Sequence, residues 1–275
     1  MNLRPSPIAG RWYPGSESRL ATAVDDYLNR AEASPPDGSV IGLIAPHAGH
    51  VYSGGVAAHA FKTVRGQAFE VVAVISPSHF HDDGLLLTSE HEGYATPLGA
   101  VTIDGEAVNR LREALGPLGL IPIRRDQEHA IEIELPFLQR ALANEFALVP
   151  VMMREQSPAI ARALGMALSQ VLAGRRALIV GSSDLAHFYN QTETNALDAV
   201  MLKQIEAFDP EGVGHAQDAG VGYACGHGAI MATLWAAQAL GATHAHVLKH
   251  ATSGDINGDY SSVVGYGAAV LWKEP

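Results

Sequence analysis

Short apolar runs alternate with stretches of helical periodicity along most of this chain, and three of the runs lead into a histidine-bearing turn. Val40-Ile41-Gly42-Leu43-Ile44-Ala45 gives way to Pro46-His47-Ala48-Gly49-His50. Val71-Val72-Ala73-Val74-Ile75 gives way to Ser76-Pro77-Ser78-His79-Phe80-His81. Ala177-Leu178-Ile179-Val180 gives way to Gly181-Ser182-Ser183-Asp184-Leu185-Ala186-His187. Alternation of this kind points to an α/β layered sandwich with a mixed, largely parallel central sheet and helices on both faces. Ligands of such sheets bind outside the carboxyl ends of the strands. If the three strands are parallel neighbours, their imidazoles meet on one rim, where a metal ion would sit. Cys225-Gly226-His227-Gly228, which carries the one cysteine of the chain, is a fourth segment able to join them.

The remaining elements follow from periodicity and punctuation. Leu20, Val24, Tyr27, Leu28 and Ala31 fall at helical spacing after Ser16 or Ser18 as N-cap, and Pro35-Pro36 closes that helix. Helices are expected at 54–64, 106–115, 158–172, 195–208 and 228–240. Another spans 128–142, interrupted by Pro136. Strands are expected at 85–88, 101–103, 146–153, 246–249 and 263–272. The segment 93–99 serves as connector within an antiparallel ribbon or sheet extension. With 275 residues, no internal repeat and no linker, the chain reads as a single domain over 1–275.

Charge and cysteine usage exclude several classes. The net charge is −11, with 18 basic against 29 acidic residues, so the basic footprint needed to displace counterions from nucleic acid is missing. No run approaches the ~20 apolar residues of a membrane span. One cysteine allows no internal disulfide, and residues 1–15 lack the apolar core of a secretory signal. The expected location is the cytoplasm.

Each candidate residue has a structural reading beside the chemical one. His47 follows a proline and precedes Gly49, which suits close approach to a ligand; it would equally bond a carbonyl in a turn. His50 and His59 read as structural or exposed. His79, nearest its strand, is favoured over His81, which is left to a supporting or surface role. Asp184 and His187 are three apart, so a helix starting after Ser183 would set both on one face as a base and its orienting carboxylate. Without function, Ser183 or Asp184 would simply cap that helix. Cys225 lies at a helix entrance, where a thiol pKa tends to fall, although a lone cysteine is commonly just a small buried residue. Glu128 and Glu132 share a helical face, with His129 beside them; this segment is read as supporting a site. The role of His227 stays open.

Taken in order, Ala9-Gly10-Arg11-Trp12-Tyr13-Pro14, Ala45-Pro46-His47-Ala48-Gly49, Pro77-Ser78-His79, Glu128-His129-Ala130-Ile131-Glu132, Ser182-Ser183-Asp184 with His187, and Cys225-Gly226 resemble the Memo family, also called AmmeMemoRadiSam system protein B. The likeness runs from about Arg4 to the last strand. That family is similar in fold to the catalytic subunit of class III extradiol ring-cleaving dioxygenases. The resemblance implies a mononuclear centre with His47, His79 and Cys225 as metal ligands, and with Asp184 and His187 lining the same pocket. It also implies a functional link to a radical-SAM protein and a small companion. In the dioxygenases the third ligand is a glutamate; here Cys225 stands in its place.

Two imidazoles and a thiolate carry the same ligand charge as two imidazoles and a carboxylate. Iron(II) is therefore the first candidate, and the softer thiolate also suits copper or zinc. The leading expectation is a metal-binding, extradiol-dioxygenase-like redox protein in which His187 acts as general base and Asp184 orients it or bonds a substrate. Two other readings stay open. One is a non-catalytic binding or signalling module that takes a small molecule or peptide in the metal pocket. The other is a metal-free hydrolase with Cys225 as nucleophile.

Overall fold

The computed structural model describes residues 1–80 and 83–275, so His81 lies outside the described residues. In chain order the first elements are β1 (Leu3–Arg4), α1 (Glu17–Arg30), β2 (Ser39–Ala45), α2 (His50–Lys62), β3 (Val71–Pro77), β4 (Leu86–Ser89), β5 (Gly93–Thr96) and β6 (Gly99–Thr102). The middle of the chain adds α3 (Gly105–Leu115), β7 (Ile121–Ile123), α4 (Leu135–Ala141), β8 (Ala147–Met153), α5 (Pro158–Leu172) and β9 (Ala177–Ser182). The last third holds β10 (His187–Tyr189), α6 (Gln191–Glu206), α7 (Pro210–Asp218), α8 (His227–Ala239), β11 (His244–Thr252), α9 (Gly254–Asn257) and β12 (Val263–Lys273).

The main sheet runs β10-β12-β2-β9-β3-β8-β4-β7, with β11 also paired to β12. Its centre, β2-β9-β3-β8, is parallel throughout. Every residue of β3 is buried, as a continuous apolar run covered on both faces requires. Strand β12 joins β2 antiparallel, so its start at Val263 and Val264 lies at the same rim as the end of β2. This is the mixed, largely parallel sheet that the alternation pointed to.

Helices cover both faces. On one side α3, α5 and α8 bury Leu111, Leu168, Met231 and Leu234 against Val71, Ala73 and Ile75. On the other, α1, α2 and α4 bury Leu20, Leu28, Phe61, Phe137 and Leu138 against Val72 and Val74. The odd and even residues of β3 thus feed opposite cores, as strand alternation dictates. Helix α8 is buried on all sides, and it lies so close to α5 that a Cβ on Gly165 would come 2.7 Å from the Ala232 carbonyl oxygen.

Four expectations need correction. Residues 93–96 are not a connector: they form β5, which hairpins with β6 and pairs with β1 in a separate three-stranded sheet. Helix α7 was not anticipated, although Asp209 caps it through the Gly212 amide at 2.9 Å and Pro210 occupies its first turn. The stretch 128–142 is not one interrupted helix. A single 3-10 turn at Glu132–Glu134 leads into α4, and Pro136 marks the start of α4, where its missing N–H costs nothing. Glu128 and His129 consequently lie on an irregular loop rather than a helix face. Finally, no helix follows Ser183. The chain passes through a turn into β10, so neither Ser183 nor Asp184 is an N-cap.

Candidate metal centre

Because β2, β9 and β3 are adjacent and parallel, their carboxyl ends open on one rim, and the turns after them bring His47, Asp184, His187 and His79 into one cavity of about 450 Å³. Among the described residues, the side chains whose ligand atoms all lie within 4.8 Å of one another are those of His47, His79 and His129. Ring centroids are 5.3 Å apart for His47 and His79, 5.4 Å for His47 and His129, and 4.7 Å for His79 and His129.

Each imidazole has its Nδ1 occupied by a neighbour. His47 Nδ1 is 3.0 Å from Ser182 Oγ. His79 Nδ1 lies 3.0 Å and His129 Nδ1 3.2 Å from Glu128 Oε1. Histidine ligands characteristically use one nitrogen on the metal and tie the other to an oxygen that fixes tautomer and ring angle. Glu128 does more than that: it also accepts from the amides of His79, His129 and Ala130. Burial pulls the Glu128 pKa up, but the bonds and charges of His79 and His129 outweigh it and leave the carboxyl at about 2. It is an anion shared by two imidazoles.

Electrostatics separate the three histidines. Burial, then the other imidazoles, hold His47 well below its ordinary pKa, in the neutral form able to donate a lone pair. Burial likewise lowers His129 to about 4, although Glu128 pulls the other way. For His79, burial lowers the pKa, yet hydrogen bonding and charge from Glu128, with Asp184 adding, raise it overall.

The sulfur of Cys225 is 3.1 Å from His47 Nε2. Cys225 lies at the entrance of α8, one residue before the Gly226 cap, as expected, but its pKa is not lowered. Burial, then the charge of Asp184, push the thiol up, against a weaker pull from hydrogen bonds. A metal ion bound there would have to displace the thiol proton.

Asp184 does not orient His187, and among the described residues no hydrogen bond joins them. Its Oδ1 accepts from the amides of His47 at 2.8 Å and Ala48 at 3.2 Å, stitching the end of β9 to the end of β2. His187 Nδ1 instead bonds the Leu185 carbonyl oxygen at 2.7 Å. A carbonyl only accepts, so in the neutral ring Nδ1 carries the proton and Nε2 keeps its lone pair. The next residue, Phe188, has φ 67° and is 75% exposed, and it lines the solvent side of the cavity beside His187. Trp12 and Arg11 close the cavity from the amino-terminal segment, and the Trp12 ring lies 4.2 Å from His129.

Three further histidines raised by the sequence lie apart from the cluster. His50 is buried with Nε2 on the Ile133 carbonyl, the half-buried His59 bonds the Gly55 carbonyl, and His227 bonds the Ala224 carbonyl. From the sequence the 128–132 segment reads as a helix supporting a site, and His129 is not among the expected metal ligands; the structure instead sets its ring beside His47 and His79. Pro136 was the available signal: a helix starting there leaves 128–131 free to fold over the rim.

Comparison with known proteins agrees with the motif order. The family described as Memo-like protein matches residues 4–270. A MEMO1 family protein of Nitrosopumilus maritimus is 30% identical, covering 97% of this chain and 98% of its own length. One of Ignicoccus hospitalis is 34% identical over the whole of both chains. An uncharacterised Escherichia coli K12 protein of solved structure is 12% identical with a TM-score of 0.49, covering 84% of this chain and 99% of that one. With full-length relatives at 30% and 34% identity and a family match over nearly all its residues, the chain belongs to the Memo family.

Proposed function

We propose that this protein binds one transition-metal ion at the rim of its parallel sheet and uses it in redox chemistry on a ligand held in the adjoining cavity. The observation that carries the reading is the meeting of His47, His79 and His129 with Cys225 against His47. The donor set fits such an ion. Imidazoles suit iron, copper and zinc, and a thiol that loses its proton adds the softness copper and zinc prefer. Iron(II) is the first candidate and copper the second. When bound, the ion supplies Lewis acidity and, if redox-active, a site for electron transfer.

The chain's own residues would do the rest. His47 and His79 hold the ion. Asp184 fixes the His47 turn through two amides. His187, with Nδ1 committed to Leu185 and Nε2 unprotonated, takes a proton from a ligand in the cavity. Trp12 and Tyr52 give that ligand apolar walls, while Arg11 offers a cation at the mouth. Burial lowers the His187 pKa, so the base form is the one present at neutral pH.

Anaerobic titration with iron(II) and copper(I) of wild type, Cys225→Ser and His129→Gln tests which group is the third donor. If Cys225 is a ligand, the serine variant loses more than roughly 100-fold in affinity and the glutamine variant about 10-fold, the loss typical of a supporting residue. Equal affinity of Cys225→Ser and wild type would remove the sulfur from the metal. Oxygen uptake by the loaded wild type in the presence of phenolic ligands tests the redox step; no uptake would leave a binding site without turnover.

A further inference from the structure

Behind His47 lies a buried carboxyl group that the reading above does not use. Ser182 Oγ is 2.7 Å from the Ala130 carbonyl oxygen, 2.7 Å from Glu134 Oε1 and 3.0 Å from His47 Nδ1. We propose that Glu134 is a neutral carboxylic acid donating to Ser182, and that it pins Ser182 as acceptor for the His47 Nδ1–H, so that the His47 Nε2 lone pair faces Cys225. Glu134 is thereby a positioning residue acting through Ser182.

The assignment rests on counting protons. Three contacts at hydrogen-bond distance need three protons, and a serine hydroxyl has one. Ala130 offers a carbonyl oxygen with no proton to give, so the hydroxyl proton belongs there. The other two contacts close only if Glu134 and His47 each bring a proton. An ionised Glu134 would leave two oxygens 2.7 Å from Ser182 Oγ with a single proton between them.

A second observation agrees. Glu134 is 1% exposed, and its other oxygen, Oε2, has no hydrogen-bond partner among the described residues. A charged oxygen left bare in the interior is far costlier than the carbonyl oxygen of a neutral acid. Burial pushes the Glu134 pKa well up; the Ser182 bond pulls against it without offsetting it, and the charge of Asp184 adds a smaller upward push.

The consequence for the site is a fixed tautomer. With its Nδ1 proton committed to Ser182, neutral His47 can only present a lone pair from Nε2, which is 3.1 Å from the Cys225 sulfur. The proton count needs no metal; only the consequence for affinity rests on the metal-site reading.

Infrared difference spectra of metal-free wild type against Glu134→Gln at neutral pH test it directly. The expected result is a neutral-acid carbonyl stretch in wild type that vanishes in the variant. Loss of carboxylate bands instead would overturn the proposal. Nitrogen-15 spectra of histidine-labelled protein should give His47 with Nδ1 protonated and Nε2 bare; the opposite tautomer would also overturn it. In metal titration, Glu134→Gln keeps a donor to Ser182 and should stay within about twofold of wild type, while Glu134→Leu should lose roughly 10-fold or more. Equal affinity for wild type and Glu134→Leu would refute the positioning role. A wild type that binds no metal would overturn the metal reading while the infrared and nitrogen-15 results decide the proton count.

Discussion

Replacing Arg4 with methionine is expected to destabilise the fold by about 3–5 kcal/mol, the cost of stranding buried carboxylates. Arg4 is fully buried, with Nε on Asp126, Nη1 on Glu132 and Nη2 on the Glu128 carbonyl oxygen, and its guanidinium lies 4.7 Å from the Tyr94 ring centroid. Glu132 also accepts from Ser6 and Tyr13, so this one side chain gathers the amino terminus onto the loop that carries Glu128 and His129. Methionine fills similar space but supplies no charge, leaving Asp126 and Glu132 buried without their cation. The melting temperature should fall on the order of 10 °C. Metal affinity should fall with it, because the Glu128 loop loses its anchor. A thermal melt checks the first effect; a variant within about 1 kcal/mol of wild type would show that the clasp contributes little.

Gly265→Ala is expected to be of comparable severity despite adding one methyl group. Gly265 in β12 exchanges backbone bonds with Leu185 and Ala186 at 2.8 Å each, which brings its Cα against Asp198. A Cβ there would overlap both carboxylate oxygens of Asp198. Asp198 is itself fully buried, accepting from the Ala186 amide at 2.9 Å and pairing with His250 Nε2 at 2.7 Å. Neither backbone nor carboxylate has room to give. The expected cost is about 3–5 kcal/mol, more than ordinary overpacking because a buried, hydrogen-bonded carboxylate must move. Chemical denaturation measures it. Since Asp198 holds the turn between Asp184 and His187, the His187 resonances should shift even under conditions where the variant stays folded. A near-neutral substitution would mean that the turn is held some other way.

Much of this was legible in the sequence because strand ends are easy to find. Helix 158–172 and the parallel strands at 71 and 177 announce themselves through periodicity and apolar runs, and residues just past such strands must lie on one rim. That logic led to His47, His79, Asp184 and His187, which do line one cavity. It failed for His129, whose loop follows the three-residue strand β7, too short and proline-broken to show as an apolar run, and is held by Arg4, more than a hundred residues away. Long-range ion pairs leave no periodic trace. It also failed for Asp184, whose partners are the backbone amides of a neighbouring strand end rather than the nearby histidine. Helix α7 escaped because its composition is polar and glycine-containing, and only Asp209-Pro210 marks its start.

In the proposed site, imidazoles 47 and 79 grip one ion together. Anaerobic isothermal titration of metal-stripped protein with iron(II), followed by elemental analysis, tests it most directly when wild type is run beside His47→Ala/His79→Ala. The expected result is one ion per chain for wild type and no saturable binding for the double variant. Equal stoichiometry and affinity in the two proteins would contradict it.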